Sequence, residues 1–180
     1  AYGAEIKTTL FPESNDSNEL LSAYKNFYSS IESRSSPPHL NFKDNYQDND
    51  ATSNLWVFGK NNKLSQEIKA QLSHYEVKFN EQGVTLDGRY FKWKNHSFVF
   101  ALSHHNSYNK QIVWIVAPSK KSIPGLIRKL PHYGKYGYLV FKGNEPKNVI
   151  KGTWPSSRVG LEHVFIKGTY PLFPKAPLIK

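Results

Sequence analysis

The sequence contains neither cysteine nor methionine. The lack of cysteine excludes disulfides, thiolate nucleophiles and cysteine-based zinc sites together. A translated chain starts with methionine, so a chain that begins at Ala1 and lacks methionine is expected to be a processed product or a fragment. There is no run of about 18 apolar residues, so no membrane-spanning helix is expected. With 180 residues, the chain is long enough for one domain with a full core, or for a domain with an appendage.

The sequence also lacks the common catalytic motifs. It has no H-E-x-x-H spacing, which places two histidines on one helical face around a zinc ion. It has no G-x-S-x-G nucleophile turn, no P-loop and no G-x-G-x-x-G. His104 and His105 are adjacent, so their side chains are expected to diverge, as exposed loop residues rather than metal ligands. We therefore predict no catalytic residues, no metal and no cofactor for this chain.

Charge is distributed unevenly along the chain. Residues 1–50 hold four basic and eight acidic residues, whereas the remainder holds twenty basic and six acidic ones. Either the acidic part packs against the basic part, or the basic part meets an anionic partner. Ordinary solvated lysines are the plainer interpretation.

The first 50 residues predict an amphipathic helix followed by a polar linker. The helix is indicated by apolar residues at three- and four-residue spacing, namely Leu20, Leu21, Tyr24, Phe27, Tyr28 and Ile31. Residues 35–53 are polar and proline-punctuated, typical of a linker or an irregular surface strap. We expect a boundary near Asp50, and the sequence leaves open whether the helix belongs to this domain or to a neighbour.

Residues 51–155 predict an α/β domain. Short apolar runs at residues 55–58, 98–101, 112–116 and 138–141 indicate strands buried on both faces, and residues 64–72 indicate a helix after the first. Residues 75–79 alternate like a further strand, and residues 83–93 predict a hairpin turning at Asp87-Gly88. We expect a small three-layer sandwich with a mostly parallel, flavodoxin-like or Rossmann-like sheet and the hairpin at its edge. Residues 156–180 predict a strand at 161–166 and a proline-punctuated tail.

Three strings carry a family resemblance. Residues 130–155 contain LPHYGKYGYLVFKG and then EPKNVIKGTWP, and residues 54–59 read NLWVFG. The first two strings resemble an accessory module found outside the catalytic domain of secreted bacterial peptidases of the gluzincin, aminopeptidase N-like type. The third resembles the opening strand of related accessory modules joined to peptidases and esterases. The resemblance spans residues 51–155. It implies an extracytoplasmic, non-catalytic domain whose partner is the catalytic domain of the same polypeptide, and a parent protein that is a zinc metallopeptidase. It carries no peptidase residues over to this chain.

Two places are candidates for ligand contact. His132, Tyr133, Lys135 and Tyr136 combine aromatic rings, a cation and an imidazole, a set suited to stacking on a sugar or base and pairing with an anion. Packing of the tyrosines against the loop is the alternative. Lys60 lies in the turn before the first α/β helix, where backbone N–H groups favour an anion, although a plain connection is the simpler interpretation. Trp154 is expected to be a packed anchor.

Three functional hypotheses follow. The first is a non-catalytic accessory or interaction domain of a larger secreted peptidase, with a structural or positioning role. The second is a polyanion-binding module for nucleic acid or acidic glycan, in which the basic part and its aromatic residues bind an anionic ligand. The third is a small α/β enzyme with an unrecognised site. We favour the first.

Overall fold

Two sheets and three α-helices organise the described part of the chain. The computed structural model describes residues 7–10, 18–32, 40–42, 54–104 and 107–155. The strands are β1 (Lys7–Leu10), β2 (Leu40–Phe42), β3 (Asn54–Phe58), β4 (Lys78–Phe79), β5 (Gly83–Leu86), β6 (Arg89–Lys92), β7 (His96–His104), β8 (Ser107–Val116), β9 (Tyr138–Lys142) and β10 (Lys147–Gly152). The helices are α1 (Asn18–Glu32), α2 (Ser65–Ser73) and α3 (Ile123–Lys129), with short 3-10 turns at Trp93–Asn95, Lys120–Ser122 and Leu130–Tyr133.

The main sheet is mixed, with the strand order β10-β9-β7-β8-β3-β1-β2. Strands β2, β1, β3 and β8 are parallel neighbours, whereas β8, β7, β9 and β10 pair antiparallel. The four runs predicted as its centre are adjacent in it, as β9-β7-β8-β3. The five strands from β10 to β3 are thus mostly antiparallel. The mixed α/β class is confirmed, and the prediction of a mostly parallel, flavodoxin-like or Rossmann-like sheet is wrong.

The connections explain why the sheet is mixed. A parallel pair needs a crossover of about a dozen residues or more, whereas a short connection returns the chain antiparallel. Strand β8 begins at Ser107, in the polar stretch between the apolar runs at 98–101 and 112–116, and β7 ends only three positions before it at His104. Likewise, only residues 143–146 separate β9 from β10. Both pairs are therefore antiparallel by connection length alone.

Alternate residues of β3 face opposite cores. Leu55 and Val57 lie in a cluster with α2 residues such as Ile68 and Leu72 and with the smaller sheet. Trp56 and Phe58 lie in a second cluster with side chains of α1 and α3. Each run is continuously apolar because it is covered on both sides. The covering layer on the first face is a short helix and a small sheet, so the three-layer sandwich stays a prediction.

The predicted hairpin is present but is not at the edge of the main sheet. Asp87 and Gly88 have φ values of 51° and 70°, as a two-residue type I′ turn requires. Strands β5 and β6 pair with β4 in a separate three-stranded sheet. Val84, Leu86 and Phe91 are buried in the first core cluster. The edge placement was wrong because these alternating apolar residues need a face to cover, and an edge position provides none.

Helix α1 packs directly on the sheet. Tyr24 and Phe27 are buried, with ring centroids each 5.3 Å from that of Phe58. The backbone N–H of Ala117 donates to the Tyr24 hydroxyl at 2.8 Å. The helix thus completes the core on this face. The division of the chain near residue 50 stays a prediction, and the strand and tail predicted after residue 155 lie outside the described residues.

Candidate functional site

The first predicted site forms a compact aromatic pair. His132 and Tyr133 end the 3-10 turn Leu130–Tyr133, and Lys135 and Tyr136 lie before β9. The Tyr133 and Tyr136 ring centroids are 5.9 Å apart, and Tyr133 meets Phe141 edge-on at 5.5 Å. Both tyrosines are half-buried, while His132 and Lys135 are exposed. The tyrosines therefore pack against the protein, while the side chains of His132 and Lys135 are accessible to a ligand.

A lysine from another strand joins this pair. Lys151 of β10 places its Nζ 5.7 Å from the Tyr133 ring centroid and 5.0 Å from that of Tyr136. Lys135 Nζ lies 5.4 Å from the Tyr136 centroid. Sequence reasoning missed Lys151 because only the β9–β10 pairing, with Lys151 opposite Leu139, brings it to this loop. We call Tyr133, Lys135, Tyr136 and Lys151 the lysine–tyrosine cluster.

Lys60 is not part of this cluster. Its Nζ donates to the carbonyl of Glu81 at 3.2 Å and lies 5.3 Å from the Trp93 ring centroid, on the other face of the sheet. Burial, and then the charge of Lys60, lowers the pKa of Lys69 on α2. The structure thus separates Lys60 from the other four predicted residues.

The turn that contains Lys60 satisfies several of its own N–H groups. The N–H of Asn62 donates to Ser65 Oγ at 2.8 Å, and that of Leu64 donates to Asn62 Oδ1 at 3.1 Å. The N–H of Gly59 donates to the Ile115 carbonyl at 2.9 Å. Because these donors are occupied within the chain, the turn favours a plain connection over an anion site.

His104 is buried at the end of β7, so its predicted exposure was wrong. The strand extends further than the apolar run suggested and carries this side chain into the protein. His105 lies outside the described residues. Within the described ranges, no group of three or more His, Cys, Asp or Glu side chains is placed to hold a metal ion.

A groove that sequence reasoning missed lies beside the end of β10. It encloses about 680 Å³. Its aromatic wall is a stack in which the Trp154 ring centroid lies 4.7 Å from Tyr75 and 4.8 Å from Tyr138. Its charged lining residues are Glu76, Lys78 and Asp87, which sum to one negative charge on a chain of formal net charge +10. We call this feature the aromatic groove.

Two glycines allow the stack to form. A Cβ on Gly152 would overlap the hydroxyl and ring of Tyr138, and one on Gly137 would lie 2.7 Å from Trp154 Cδ1. Gly137 N–H donates to the Gly152 carbonyl at 2.8 Å, which holds the two glycines together. Trp154 Nε1 donates to the Ala101 carbonyl at 2.7 Å, so its predicted role as an anchor is confirmed. The anchor also presents a ring to the groove.

Glu76 lines the groove, and its backbone conformation is strained for a residue other than glycine. Helix α2 ends in a Schellman turn, in which the N–H of Val77 donates to the Leu72 carbonyl at 3.3 Å and that of Glu76 to the Ser73 carbonyl at 3.0 Å. Glu76 has a φ of 62°, at the position that glycine usually occupies. The prediction of a strand over residues 75–79 was therefore wrong for Tyr75 and Glu76, which form this turn.

Replacing Glu76 with glycine should stabilise the protein. Glycine adopts positive φ without the Cβ penalty, so we expect Glu76→Gly to raise the free energy of unfolding by about 0.5–1 kcal/mol. Glu76→Ala is the matched control, because it removes the carboxylate but keeps the strained Cβ. Urea denaturation of both variants measures the difference, and a Glu76→Gly protein no more stable than Glu76→Ala would contradict the strain.

The pKa of the Tyr138 hydroxyl reflects the burial and the charge of the groove. Burial, and then the nearby carboxylate of Asp87, raises the pKa of the Tyr138 hydroxyl. For a group whose pKa is higher in the folded state, the stabilising contribution is full below the unfolded pKa of about 10. It is lost as the pH rises through the folded pKa. The folded protein is therefore expected to lose some stability above about pH 10 through this group.

The substitution Asp87→Asn should lower the pKa of Tyr138 toward its ordinary value. Asparagine also accepts the positive φ of a type I′ turn, so the hairpin is retained while the charge is removed. Titration of ¹³Cζ-labelled tyrosine by NMR measures the effect, with Tyr138→Phe identifying the resonance. A Tyr138 titration unchanged in Asp87→Asn would show that the two groups do not interact.

A second cavity lies between α1 and α3. It encloses about 560 Å³ and is lined by residues of both helices, including Ala23, Ile123 and Ile127. Glu19 and Lys120 form an ion pair of 2.9 Å beside it. Both of these side chains are largely exposed, so the pair contributes little to stability.

Comparisons with known proteins found no match to this chain. No protein-family model matches the chain, and neither the curated proteins nor the solved structures include a match. Among the described helices, none has the length and apolar character needed to cross a membrane.

Proposed function

We propose that this chain is a non-catalytic accessory or interaction domain of a larger secreted peptidase, placed outside the cytoplasm, with the catalytic domain of the same polypeptide as its partner. The observation that supports it most is where the resembling string lies in the fold. Gly137, Tyr138, Gly152 and Trp154 all belong to the resembling residues 130–155. Tyr138 and Trp154 line the aromatic groove, and the two glycines make room for their rings. Residues that resemble an accessory module are thus the ones that shape a surface for contact.

The groove has the chemistry of a binding surface. Its ring faces suit stacking, and the carboxylates of Glu76 and Asp87 accept hydrogen bonds or pair with a cation. Aromatic side chains that are held in place by packing are efficient anchors, because little rotamer freedom is lost on binding. A role in positioning or shielding a neighbouring domain follows from such a surface.

The proposal is tested by asking whether the chain alone turns over peptides. We expect no cleavage when the purified chain is incubated with a peptide mixture and the products are followed by mass spectrometry. The control is Trp154→Ala, which disrupts the groove. Cleavage at enzyme-like rates by the parent chain that is lost in Trp154→Ala would overturn the proposal and favour the third hypothesis, a small α/β enzyme.

The lysine–tyrosine cluster favours a second candidate function, polyanion binding. Lys135 and Lys151 both lie over the Tyr136 ring, Lys151 also lies over that of Tyr133, and the chain carries a formal net charge of +10. Cations beside aromatic rings bind single-stranded nucleic acid by combining phosphate contacts with base stacking. An acidic glycan offers the same charges without the bases.

We expect the double variant Lys135→Gln, Lys151→Gln to bind single-stranded DNA more weakly than the parent chain. If each lysine contacts one phosphate, the slope of log K against log salt should fall by about 0.7 for each lysine removed. Lys60→Gln is the matched control, because it removes one charge on the opposite face. Fluorescence anisotropy at several salt concentrations measures the slopes, and an equal fall in slope per lysine removed in the control and in the double variant would show general charge attraction only.

A further inference from the structure

The aromatic groove lies where the described chain ends. Thr153, Trp154 and Pro155 line it, and Pro155 is the last described residue. A further 25 residues follow in the sequence, residues 156–180. The chain therefore continues from the rim of the groove.

The sequence of this continuation has a regular feature. Prolines occur at positions 171, 174 and 177, within the segment YPLFPKAP. A polyproline II helix has three residues per turn, so prolines at this spacing share one face. Lys175 lies between two of them and supplies a positive charge.

The groove complements such a segment in shape and in charge. Polyproline II segments bind in grooves lined by aromatic side chains, where proline rings pack against the exposed surfaces of the aromatic rings. Here the stacked rings of Tyr75, Trp154 and Tyr138 provide that lining. Glu76 and Asp87 provide carboxylates for a lysine.

We propose that residues 170–177 bind in the aromatic groove of the same chain as a polyproline II segment. The 14 residues from 156 to 169 link the segment to the rim. Fourteen residues reach at most about 45–50 Å when extended, enough to return the segment to a groove that begins at its own attachment point. The local concentration of a segment on a short link is about millimolar, so modest contacts suffice. The proposal goes beyond the accessory-domain function and does not depend on it.

The absence of cysteine allows a direct test on the full chain. Leu178→Cys introduces one thiol for a nitroxide spin label, next to the last proline. The four tryptophans give four indole N–H resonances in a ¹⁵N spectrum, and Trp154→Phe identifies the one in the groove. We expect the label to broaden the Trp154 indole resonance strongly and to leave that of Trp56, on the opposite face of the sheet, nearly unchanged.

The matched control replaces the three prolines by alanine in the same labelled chain. This variant keeps the length and charge of the tail, so it retains any broadening that comes from tethering alone. Recovery of most of the Trp154 intensity in this variant supports the proposal. Equal broadening in the two proteins, or none in either, overturns it.

Mixing experiments show whether a second copy of the chain or a partner, rather than the tail, occupies the groove. Broadening that passes from a spin-labelled, unenriched chain to an unlabelled, ¹⁵N-enriched chain would show a second copy in the groove and would overturn binding within one chain. A synthetic proline-rich peptide that shifts Trp154 as readily in the parent chain as in the alanine variant would show that the groove is open. That result would assign the groove to a partner. A failure of tail binding leaves the cleavage assay unaffected, so the two proposals are tested separately.

Discussion

Replacing Trp114 with alanine should lower the free energy of unfolding by about 3–5 kcal/mol. Trp114 is fully buried, and its ring centroid lies 5.7 Å from Phe100, 6.0 Å from Phe79 and 6.4 Å from Trp93. Its Nε1 donates to the Gly59 carbonyl at 2.8 Å, which fixes the end of β3. Since the total stability of a domain is about 5–15 kcal/mol, this single change should remove a large part of it.

Trp114→Phe separates packing from hydrogen bonding. It retains most of the ring but leaves the buried carbonyl of Gly59 without the indole donor, which typically costs about 1–3 kcal/mol. Urea denaturation followed by circular dichroism compares the two variants with the parent protein. If Trp114→Ala lowers the free energy of unfolding by less than Trp114→Phe does, this ring is not central to the packing of the core.

Gly152→Ala should lower the free energy of unfolding by about 1–3 kcal/mol, the usual cost of overpacking. The added Cβ would overlap the hydroxyl and ring of Tyr138, so the ring must move away from Trp154 or the strand must shift. Either response should also disturb the aromatic groove, and the Trp154 indole resonance should move with it. The effect on stability and the effect on the groove therefore have one cause.

A double-mutant cycle tests that cause. In a Tyr138→Ala background the overlapping ring is absent, so adding Gly152→Ala should cost much less than in the parent chain. Coupling of about 1–2 kcal/mol between the two sites is expected for side chains in direct contact. If Gly152→Ala is equally damaging in both backgrounds, the glycine is needed for its backbone and not for the approach of Tyr138.

The sequence is most informative about the fold where a pattern is local. The apolar runs at 55–58, 98–101, 112–116 and 138–141 became adjacent strands, and Asp87-Gly88 became the hairpin turn. Strand direction was wrong because β8 starts within a polar segment that had no strand pattern. Strands β1 and β2 lie within the first 50 residues, where only a helix and a linker were predicted. They were missed because a strand that pairs through its backbone needs few apolar side chains.

The candidate site was only partly accessible from sequence. The cluster around Tyr133 and Tyr136 is contiguous in the chain, so its residue types were informative together. The aromatic groove draws Tyr75 from the turn after α2, Asp87 from a hairpin and Trp154 from the segment after β10. No sequence spacing joins three such distant segments. The glycines at 137 and 152 were the available signal, because Gly137 makes room for the ring of Trp154 and Gly152 for that of Tyr138.

The most direct test of the proposed function is the size of the native polypeptide that carries this sequence. Antibodies raised against the purified chain would isolate it from source cells, and mass spectrometry would identify it. We expect a much larger polypeptide in which an H-E-x-x-H helix lies outside the 180 residues described by this sequence. A free protein near 20.7 kDa would contradict the accessory-domain proposal and would favour polyanion binding by the lysine–tyrosine cluster.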